Sequence, residues 1–386
     1  MLNLIYFNNA STTEVTVRVL DDFCFCTYKW HNPSDISQTG RFAKGIISRA
    51  QKQIASSINC TPNEIIFTSG GSESNNWAIK GYVDHYDVDI IITTEIEHAS
   101  VYNSCLFCRD RGCKLIYIPV DAFGVINLSC LKDIVDQCSR DNQEVLVSIM
   151  FANNEIGTIQ PIKEISKIVH DAGYKLHVDA VQAYMHTKID VEELGIDMLS
   201  TSFHKFGGFK GSGFLYVKDG ISLTPLIHGG NQFESRRSGT ENVPMIFAMG
   251  NHVERINMCL EWIEKKLTYY RDKLLINIYD RCRDLCDVYI NGDPSQRLCN
   301  NLSLTFKGID AQQLIAMLEE KEIYVSAGSA CSAGDNKPSR VLKAIGLSDE
   351  EAFSTIRMSM DLDCNDRMID EFVNALVECI EMLKMM

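Results

Sequence analysis

The sequence predicts an α/β fold in which a mostly parallel sheet lies between helices, followed by a smaller α+β unit. Three observations predict it. From about residue 60 to residue 217, short apolar runs alternate with segments of helical periodicity, the rhythm of β-α-β units. From Gly239-Thr240 to about Leu285 the chain is rich in helix formers and carries no internal proline beyond Pro244. Beyond that point strand-like and helix-like runs alternate again. A chain of 386 residues with 45% hydrophobic content can bury a large core, and length alone makes two or three domains a reasonable expectation.

The first region supplies six strands: Glu64-Ile-Ile-Phe-Thr, Asp89-Ile-Ile-Ile-Thr, Lys114-Leu-Ile-Tyr-Ile, Val145-Leu-Val-Ser-Ile-Met, Lys175-Leu-His-Val-Asp and Asp197-Met-Leu-Ser-Thr. Between them, Leu128 to Cys138 and Ile162 to Ala172 space Leu, Ile and Val at helical intervals, so one face of each packs on the sheet. Ligands on such sheets bind beyond the carboxyl ends of the strands. The stretch after Thr240 reads as one or two long helices linking two domains. The remainder pairs strands at Asn301-Leu-Ser-Leu-Thr-Phe, Ile323-Tyr-Val-Ser and Thr355-Ile-Arg-Met-Ser with helices over 312–321, 339–345 and 366–382. No internal repeat or low-complexity tract interrupts the pattern.

A formal net charge of -14 opposes a nucleic acid or an anionic membrane surface as partner, because both would be repelled. The start, Met1-Leu-Asn-Leu-Ile-Tyr-Phe, lacks a basic region followed by a long apolar run and does not read as a signal peptide. No stretch is long and apolar enough to span a bilayer. The 15 cysteines are therefore expected to be reduced thiols in a cytoplasmic protein, most of them small buried hydrophobes.

Three motifs carry chemistry. Phe67-Thr-Ser-Gly-Gly-Ser-Glu-Ser-Asn-Asn follows a strand and opens a helix, which places unsatisfied backbone N–H groups where a phosphate can sit. Such helix starts also occur with no ligand. His177-Val-Asp179-Ala-Val-Gln182 lies at a strand end, where an aspartate can pair with a protonated ring nitrogen and a glutamine can bond a ring hydroxyl. Taken alone, Asp179 could equally cap a following helix, and His-x-Asp could be a metal pair, although no third ligand stands at a suggestive spacing. Ser200-Thr-Ser-Phe-His204-Lys205-Phe-Gly-Gly sets a lysine directly after a buried strand, where desolvation would free its amine for Schiff-base chemistry. A surface lysine in a glycine-rich loop is the plainer alternative.

These motifs, in this order, resemble the cysteine desulfurases of the NifS/IscS type, within the class V aminotransferase-like enzymes of pyridoxal-phosphate fold type I. The likeness runs from about Tyr6 to Met360 and includes Tyr6-Phe-Asn-Asn-Ala-Ser-Thr-Thr, Asn32-Pro-Ser, Glu97-His98, Asn153-Asn-Glu-Ile-Gly-Thr-Ile-Gln-Pro, Arg237-Ser-Gly-Thr-Glu-Asn, Ser326-Ala-Gly-Ser-Ala-Cys331 and Ile356-Arg357. It implies a large domain over 15–255 with a seven-stranded, mostly parallel sheet, and a small domain made of 1–14 and 256–386 that carries the cysteine loop. By the same resemblance Lys205 would hold the cofactor, pyridoxal 5'-phosphate, covalently. His98 would stack on its ring, Asp179 would pair with the ring nitrogen, Gln182 would contact the phenolic oxygen, and Asn154 would lie beside them. Gly71, Ser72, Ser202 and His204 would hold the phosphate. Thr240 would reach the phosphate of the neighbouring subunit of a homodimer.

Arg357 would pair with the substrate carboxylate, a task suited to a planar guanidinium. Without the resemblance it would read as an ion-paired surface arginine. Cys331, in the small-residue segment Ala327-Gly-Ser-Ala-Cys-Ser-Ala-Gly, would be the nucleophile that takes sulfur from L-cysteine as a persulfide and leaves L-alanine. The freed Lys205 amine would take the Cα proton. Sulfur would pass to an acceptor protein, either an iron–sulfur scaffold or a tRNA-thiolation carrier, and the spacing from Cys331 to Arg357 resembles the longer-loop group that delivers it directly.

Asn8 stands where the family usually has aspartate, Phe209 where it has proline, and Ser37 where it has histidine, and none of these removes an implied cofactor contact. After Met360 the family's Gly-Arg-Thr-Thr run is missing, which argues against a scaffold dock at that end. Two other readings stand beside this one. A selenocysteine lyase or cysteine C–S lyase would use the same site, and a catalytically silent homologue would have no chemical need for Lys205, His98, Asp179, Cys331 and Arg357 together.

Overall fold

The computed structural model describes residues 4–328 and 337–385. Its centre is a seven-stranded sheet built from β2 (Ile65–Thr68), β3 (Ile90–Thr94), β4 (Lys114–Ile118), β5 (Val145–Met150), β6 (Lys175–Asp179), β7 (Met198–Ser200) and β8 (Gly213–Val217), in the order β2-β8-β7-β6-β5-β3-β4. Pairings from β7 through β4 are parallel, and β8 runs antiparallel to both its neighbours. The sequence marks six of these strands. It gives no mark for β8, whose run Gly213-Phe-Leu-Tyr-Val follows a glycine-rich loop without an intervening helix.

Both faces of the sheet are covered, as a parallel sheet requires. Successive residues of one strand serve opposite cores: Ile90 and Ile92 pack in one apolar cluster and Ile91 in another. The first cluster includes residues from α2 (Gln38–Ile58), α5 (Leu128–Arg140), α6 (Ile162–Asp171) and α8 (Val243–Asn257), and α1 (Val17–Thr27) joins it through Val19 and Cys26. The opposite cluster is filled from α3 (Gly71–Tyr86) and α4 (Ala99–Arg109). Ser37, one of the departures from the family pattern, caps α2 by accepting from Gly40 N.

The stretch after Thr240 is two helices, α8 and α9 (Leu260–Cys282), separated at Met258 and Cys259. A separate apolar cluster gathers Ile5 and Phe7 with residues of α9, β10 (Asn301–Phe306), α10 (Ala311–Glu319), β12 (Thr355–Ser359) and α13 (Asp366–Met385). Here β12 and β9 (Val288–Ile290) flank β10 in an antiparallel sheet, while β1 (Ile5–Tyr6) pairs in parallel with β11 (Ile323–Tyr324). Ile256 packs against both this cluster and the larger one. Three short helices, α7 (Val191–Leu194), α11 (Arg340–Ala344) and α12 (Asp349–Phe353), complete the described elements. Because β1 belongs to this second cluster, the segment that follows it, Asn8 to Thr13, crosses from one core to the other.

Candidate active site

A cavity of about 410 Å³ opens beyond the carboxyl ends of β5 and β6. Lys205, Asp179, His98 and Arg357 all line it, as do Gly71, Ser72, Asn154, Gln182, Ser202 and His204. Residues from Ala10 to Arg357, at opposite ends of the chain, are thus brought to one place.

The anion cradle is at the start of α3. Gly70 holds φ at +137°, a conformation that favours glycine, and a Cβ on Gly71 would meet Val181 Cγ2 at 2.6 Å. Gly70 is therefore required by its backbone conformation and Gly71 by its close approach to Val181. The first-turn N–H groups of α3 lack intrahelical partners by construction and face this end of the cavity. Glu73, in the same turn, accepts from Ser69 N at 2.7 Å and from Arg237 Nε and NH2 at 2.9 and 3.2 Å. Burial raises the Glu73 carboxyl, but the bonds from Arg237 and Ser69 outweigh it and hold the group below the usual carboxylate range.

Asp179 ends β6, and its carboxylate is held on both oxygens: Asn75 Nδ2 donates to Oδ2 at 2.7 Å and Val181 N to Oδ1 at 3.0 Å. No helix follows directly, so the capping alternative does not apply. The same Asn75 amide lies 2.8 Å from Ser100 Oγ, which lies 2.8 Å from His98 Nδ1. His98 also caps α4, Nδ1 accepting from Ser100 N at 3.1 Å, which leaves the ring proton on Nε2. Asp179, Asn75, Ser100 and His98 thus form one hydrogen-bonded chain. Asn75 has no marked role in the sequence reading; it sits one helical turn beyond Gly71, within the Gly-Gly-Ser-Glu-Ser-Asn-Asn motif, and that i, i+4 spacing is the signal that points to it.

Both ring nitrogens of His177 are taken up by serines, so the metal-pair alternative for His177-Val-Asp179 does not apply. His177 is fully buried between strands, with Nδ1 2.8 Å from Ser148 Oγ on β5 and Nε2 3.0 Å from Ser200 Oγ on β7. Burial pushes its pKa down to about 3, so it is a neutral clamp across three neighbouring strands. Among the described residues no group of His, Cys, Asp and Glu is arranged to hold a metal ion.

Lys205 ends a single 3-10 turn, Phe203–Lys205, immediately after β7. Its Nζ donates to the carbonyls of Ala10 and Ser11, both at 2.7 Å, and Gln182 Nε2 donates to the same Ala10 carbonyl at 2.9 Å. His204 packs against Thr12, with Nδ1 3.2 Å from the hydroxyl. Burial first, then the charges of Lys205 and Lys210, lower the His204 pKa to about 4, so it offers a neutral imidazole to the cavity.

Arg357 occupies the middle of β12, with its backbone paired to Ser303 on one side and Ser326 on the other. Only 2% exposed, it donates from NH1 to Asn154 O at 3.0 Å and from NH2 to Asn8 Oδ1 at 2.9 Å. The departure at position 8 therefore falls on the proposed substrate arginine. Beside it, burial raises the Glu155 carboxyl above its usual range against the pull of Ser339, whose hydroxyl lies 2.5 Å away, and of Arg357. Asn8 and Glu155 carried no sequence signal of this role.

Two expected site residues are not in the cavity as described. Thr240 is exposed and lines a separate cavity of about 190 Å³ together with Arg237. Cys331 lies outside the described residues. Among the described cysteines none lines the main cavity, and burial pushes Cys108, Cys282, Cys299 and Cys364 up to about 12, which makes them poor nucleophiles.

The profile of the family described as Aminotransferase class-V matches residues 5–372. The protein named Cysteine desulfurase IscS of Methanosarcina thermophila is 39% identical over 385 residues, spanning 99% of this chain and 93% of that protein. Its namesake from Dictyoglomus turgidum is 39% identical over 383 residues, covering 98% and 95% of the two chains. Among solved structures, a NifS-like protein superposes with a TM-score of 0.90 at 34% identity, covering 98% of this chain and 100% of its own. A structure described as SspA in complex with cysteine gives a TM-score of 0.80 at 33% identity, covering 92% and 99%.

Proposed function

The chain belongs to the class V aminotransferase family, and from that premise we propose that it is a cysteine desulfurase, releasing L-alanine from L-cysteine and retaining the sulfur as a persulfide on Cys331. The observation that carries this reading is the meeting of Lys205, Asp179, His98 and Arg357 at one cavity. Few other chemistries need a half-buried lysine, a fixed carboxylate, an aromatic cap and a carboxylate-binding arginine together.

The cavity suits pyridoxal 5'-phosphate. Gly71, Ser72, Ser202 and His204 would hold the phosphate, Asp179 would keep the ring nitrogen protonated, Gln182 would contact the phenolic oxygen, and His98 would lie on the ring beside Asn154. Lys205 would carry the cofactor covalently. When bound, the cofactor supplies an electron sink that makes the Cα proton of an amino acid acidic. Arg357 orients the substrate by its carboxylate. Lys205, released from its covalent role, accepts and returns the proton at Cα. The Asp179 carboxylate is fixed in place because both of its oxygens accept N–H bonds. Cys331 attacks the substrate sulfur as thiolate, and the S–S bond forms as the Cβ–S bond breaks.

Further parts of the proposal concern assembly. The two apolar clusters that share Ile256 support a large domain over 15–255 and a small domain made of 1–14 and 256–386. The outward position of Thr240 supports a homodimer in which it reaches the neighbouring subunit's phosphate. A sulfur-acceptor protein, for iron–sulfur assembly or thiolation, and a cytoplasmic setting complete the reading; among the described residues no helix is long and apolar enough to cross a membrane.

The test compares the cofactor-loaded wild type with Cys331→Ala, assaying alanine and sulfide from L-cysteine. The variant is expected to keep the visible band of the bound cofactor and to lose desulfuration. A fully active Cys331→Ala would make the protein a lyase that needs no persulfide.

A further inference from the structure

The phosphate end of the cavity is short of positive charge. Its four expected contacts, Gly71, Ser72, Ser202 and His204, are neutral, His204 because burial and the neighbouring lysines hold its ring unprotonated. The start of α3 contributes about half a positive charge, whereas a phosphate monoester near neutral pH carries roughly 1.5 to 2 negative ones. Glu73, in the first turn of α3, lines the same cavity and adds another negative charge. Arg237 offsets that carboxylate through its two bonds at 2.9 and 3.2 Å and is thereby committed to it.

Among the described residues three lysine and arginine side chains line the cavity: Lys205, Lys210 and Arg357. Arg357 enters from β12, on the side where Asn8 and Asn154 meet it. Lys205 turns its amine toward the carbonyls of Ala10 and Ser11 and is the residue read as the covalent anchor of the ring. Lys210 shares the lining with Ser69, Gly70, Gly71 and Ser72, the loop that opens α3, and its charge is felt at the His204 ring.

The turn that presents Lys210 is braced on both sides. Phe209 packs its ring on Phe23, with centroids 5.0 Å apart, and its carbonyl accepts from Ser212 Oγ at 3.1 Å across the turn. The Ser212 carbonyl accepts from Phe203 N at 2.9 Å, which ties the turn to the segment carrying Ser202 and His204. Gly211, at φ +77°, reverses the chain directly after the lysine. Lys210 is exposed at the rim, so its ammonium can meet an anion without first being buried.

We propose that Lys210 is a phosphate-binding residue, supplying the cation that pairs with the cofactor phosphate over the start of α3 and so distinguishing pyridoxal 5'-phosphate from unphosphorylated pyridoxal. This rests on the reading of the cavity as a pyridoxal 5'-phosphate site. It adds a charged contact from the glycine-rich turn to the neutral ones.

The experiment loads the full chain with pyridoxal 5'-phosphate or with pyridoxal, dialyses each to equilibrium against a series of free-ligand concentrations, and reads the retained ligand by its visible band. Wild type is expected to retain the phosphorylated form more tightly. Lys210→Gln is expected to weaken that form by about three- to tenfold at low salt, between the scales of an exposed ion pair and a charged hydrogen bond, and to leave pyridoxal unchanged. Lys210→Arg, which keeps the charge, is expected to restore the preference. In about 1 M salt, where the screening length falls to about 3 Å, the gap between wild type and Lys210→Gln should narrow.

Two failures are distinguishable. If wild type prefers the phosphorylated form and Lys210→Gln keeps that preference in full, the proposal for Lys210 is overturned while the cradle at α3 survives. If wild type retains both ligands equally, the phosphate reading of the cavity falls and the proposal with it. Equal weakening of both ligands by Lys210→Gln would also overturn it, since that marks a general disturbance of the site.

Discussion

The two sides of the cavity are built differently. The side formed by the large sheet is a contiguous hydrogen-bonded chain, Asp179 to Asn75 to Ser100 to His98, resting on strand ends that a buried histidine clamps across β5, β6 and β7. The side formed by β12 is a junction of three distant segments, where Arg357 meets Asn8 and Asn154 across 349 and 203 positions of sequence. On the proposed reading, the first side would hold the planar cofactor ring and the second would grip the exchangeable substrate through Arg357. The difference teaches that cofactor affinity and substrate affinity are separable here, with Lys205 and the 10–11 carbonyls as the seam between them.

Four outcomes would sharpen or break that separation. Lys205→Ala strikes the seam and is expected to abolish turnover, by a factor of about 10³ or more, and to change the visible band as well; retention of both would remove the lysine from the chemistry. Arg357→Gln strikes only the substrate side, with an expected loss of about 10² in kcat/KM, since truncating a charged hydrogen-bonding partner costs a few kcal/mol. The cofactor band should be unchanged, and its loss would show that the two sides are not separable.

Glu97 gives the third. Its carboxyl joins the sheet-end side by accepting from Thr94 Oγ1 at 2.7 Å and Met150 N at 3.1 Å, and burial raises its pKa to about 8. The native protein keeps this proton in a range where the unfolded chain has released it. The contribution to stability is therefore full below the ordinary carboxylate pKa and is lost as pH rises to about 8. Glu97→Gln should remove that slope and be the more stable protein at pH 8, by up to about 5 kcal/mol, the rise from the ordinary 4.5 to about 8 at about 1.4 kcal/mol per unit. Melting curves from pH 5 to 9 check this, and parallel slopes for both proteins would contradict it. Last, Asn75→Ala should lower kcat about tenfold, the scale of one hydrogen bond to a charged group, and shift the cofactor band, leaving KM for L-cysteine nearly unchanged. A change confined to KM would place Asn75 on the wrong side of the comparison.

The same contrast governs what the sequence made legible. Strands Val145–Met150, Lys175–Asp179, Asn301–Phe306 and Thr355–Ser359 begin and end where their sequence patterns do, because a strand buried on both faces has no other way to satisfy its pattern. Strand β8 was not legible because its antiparallel return needs only a glycine-rich loop, with no helix to announce it. The break between α8 and α9 carries neither proline nor glycine, and packing of the two helices on different clusters places it. Gly71, Asp179 and Lys205 stood out because each lies in a local motif with a strand before it. Asn8 and Glu155 act only through contacts across hundreds of positions, and single-chain patterns do not encode such pairs.

The most direct test of the central claim is to reduce the cofactor-loaded protein with borohydride and map the pyridoxyl group by peptide mass spectrometry. The adduct is expected on Lys205, in the peptide containing His204, and none in Lys205→Ala. An adduct on Lys210 or on another lysine, with Lys205 unmodified, would contradict it.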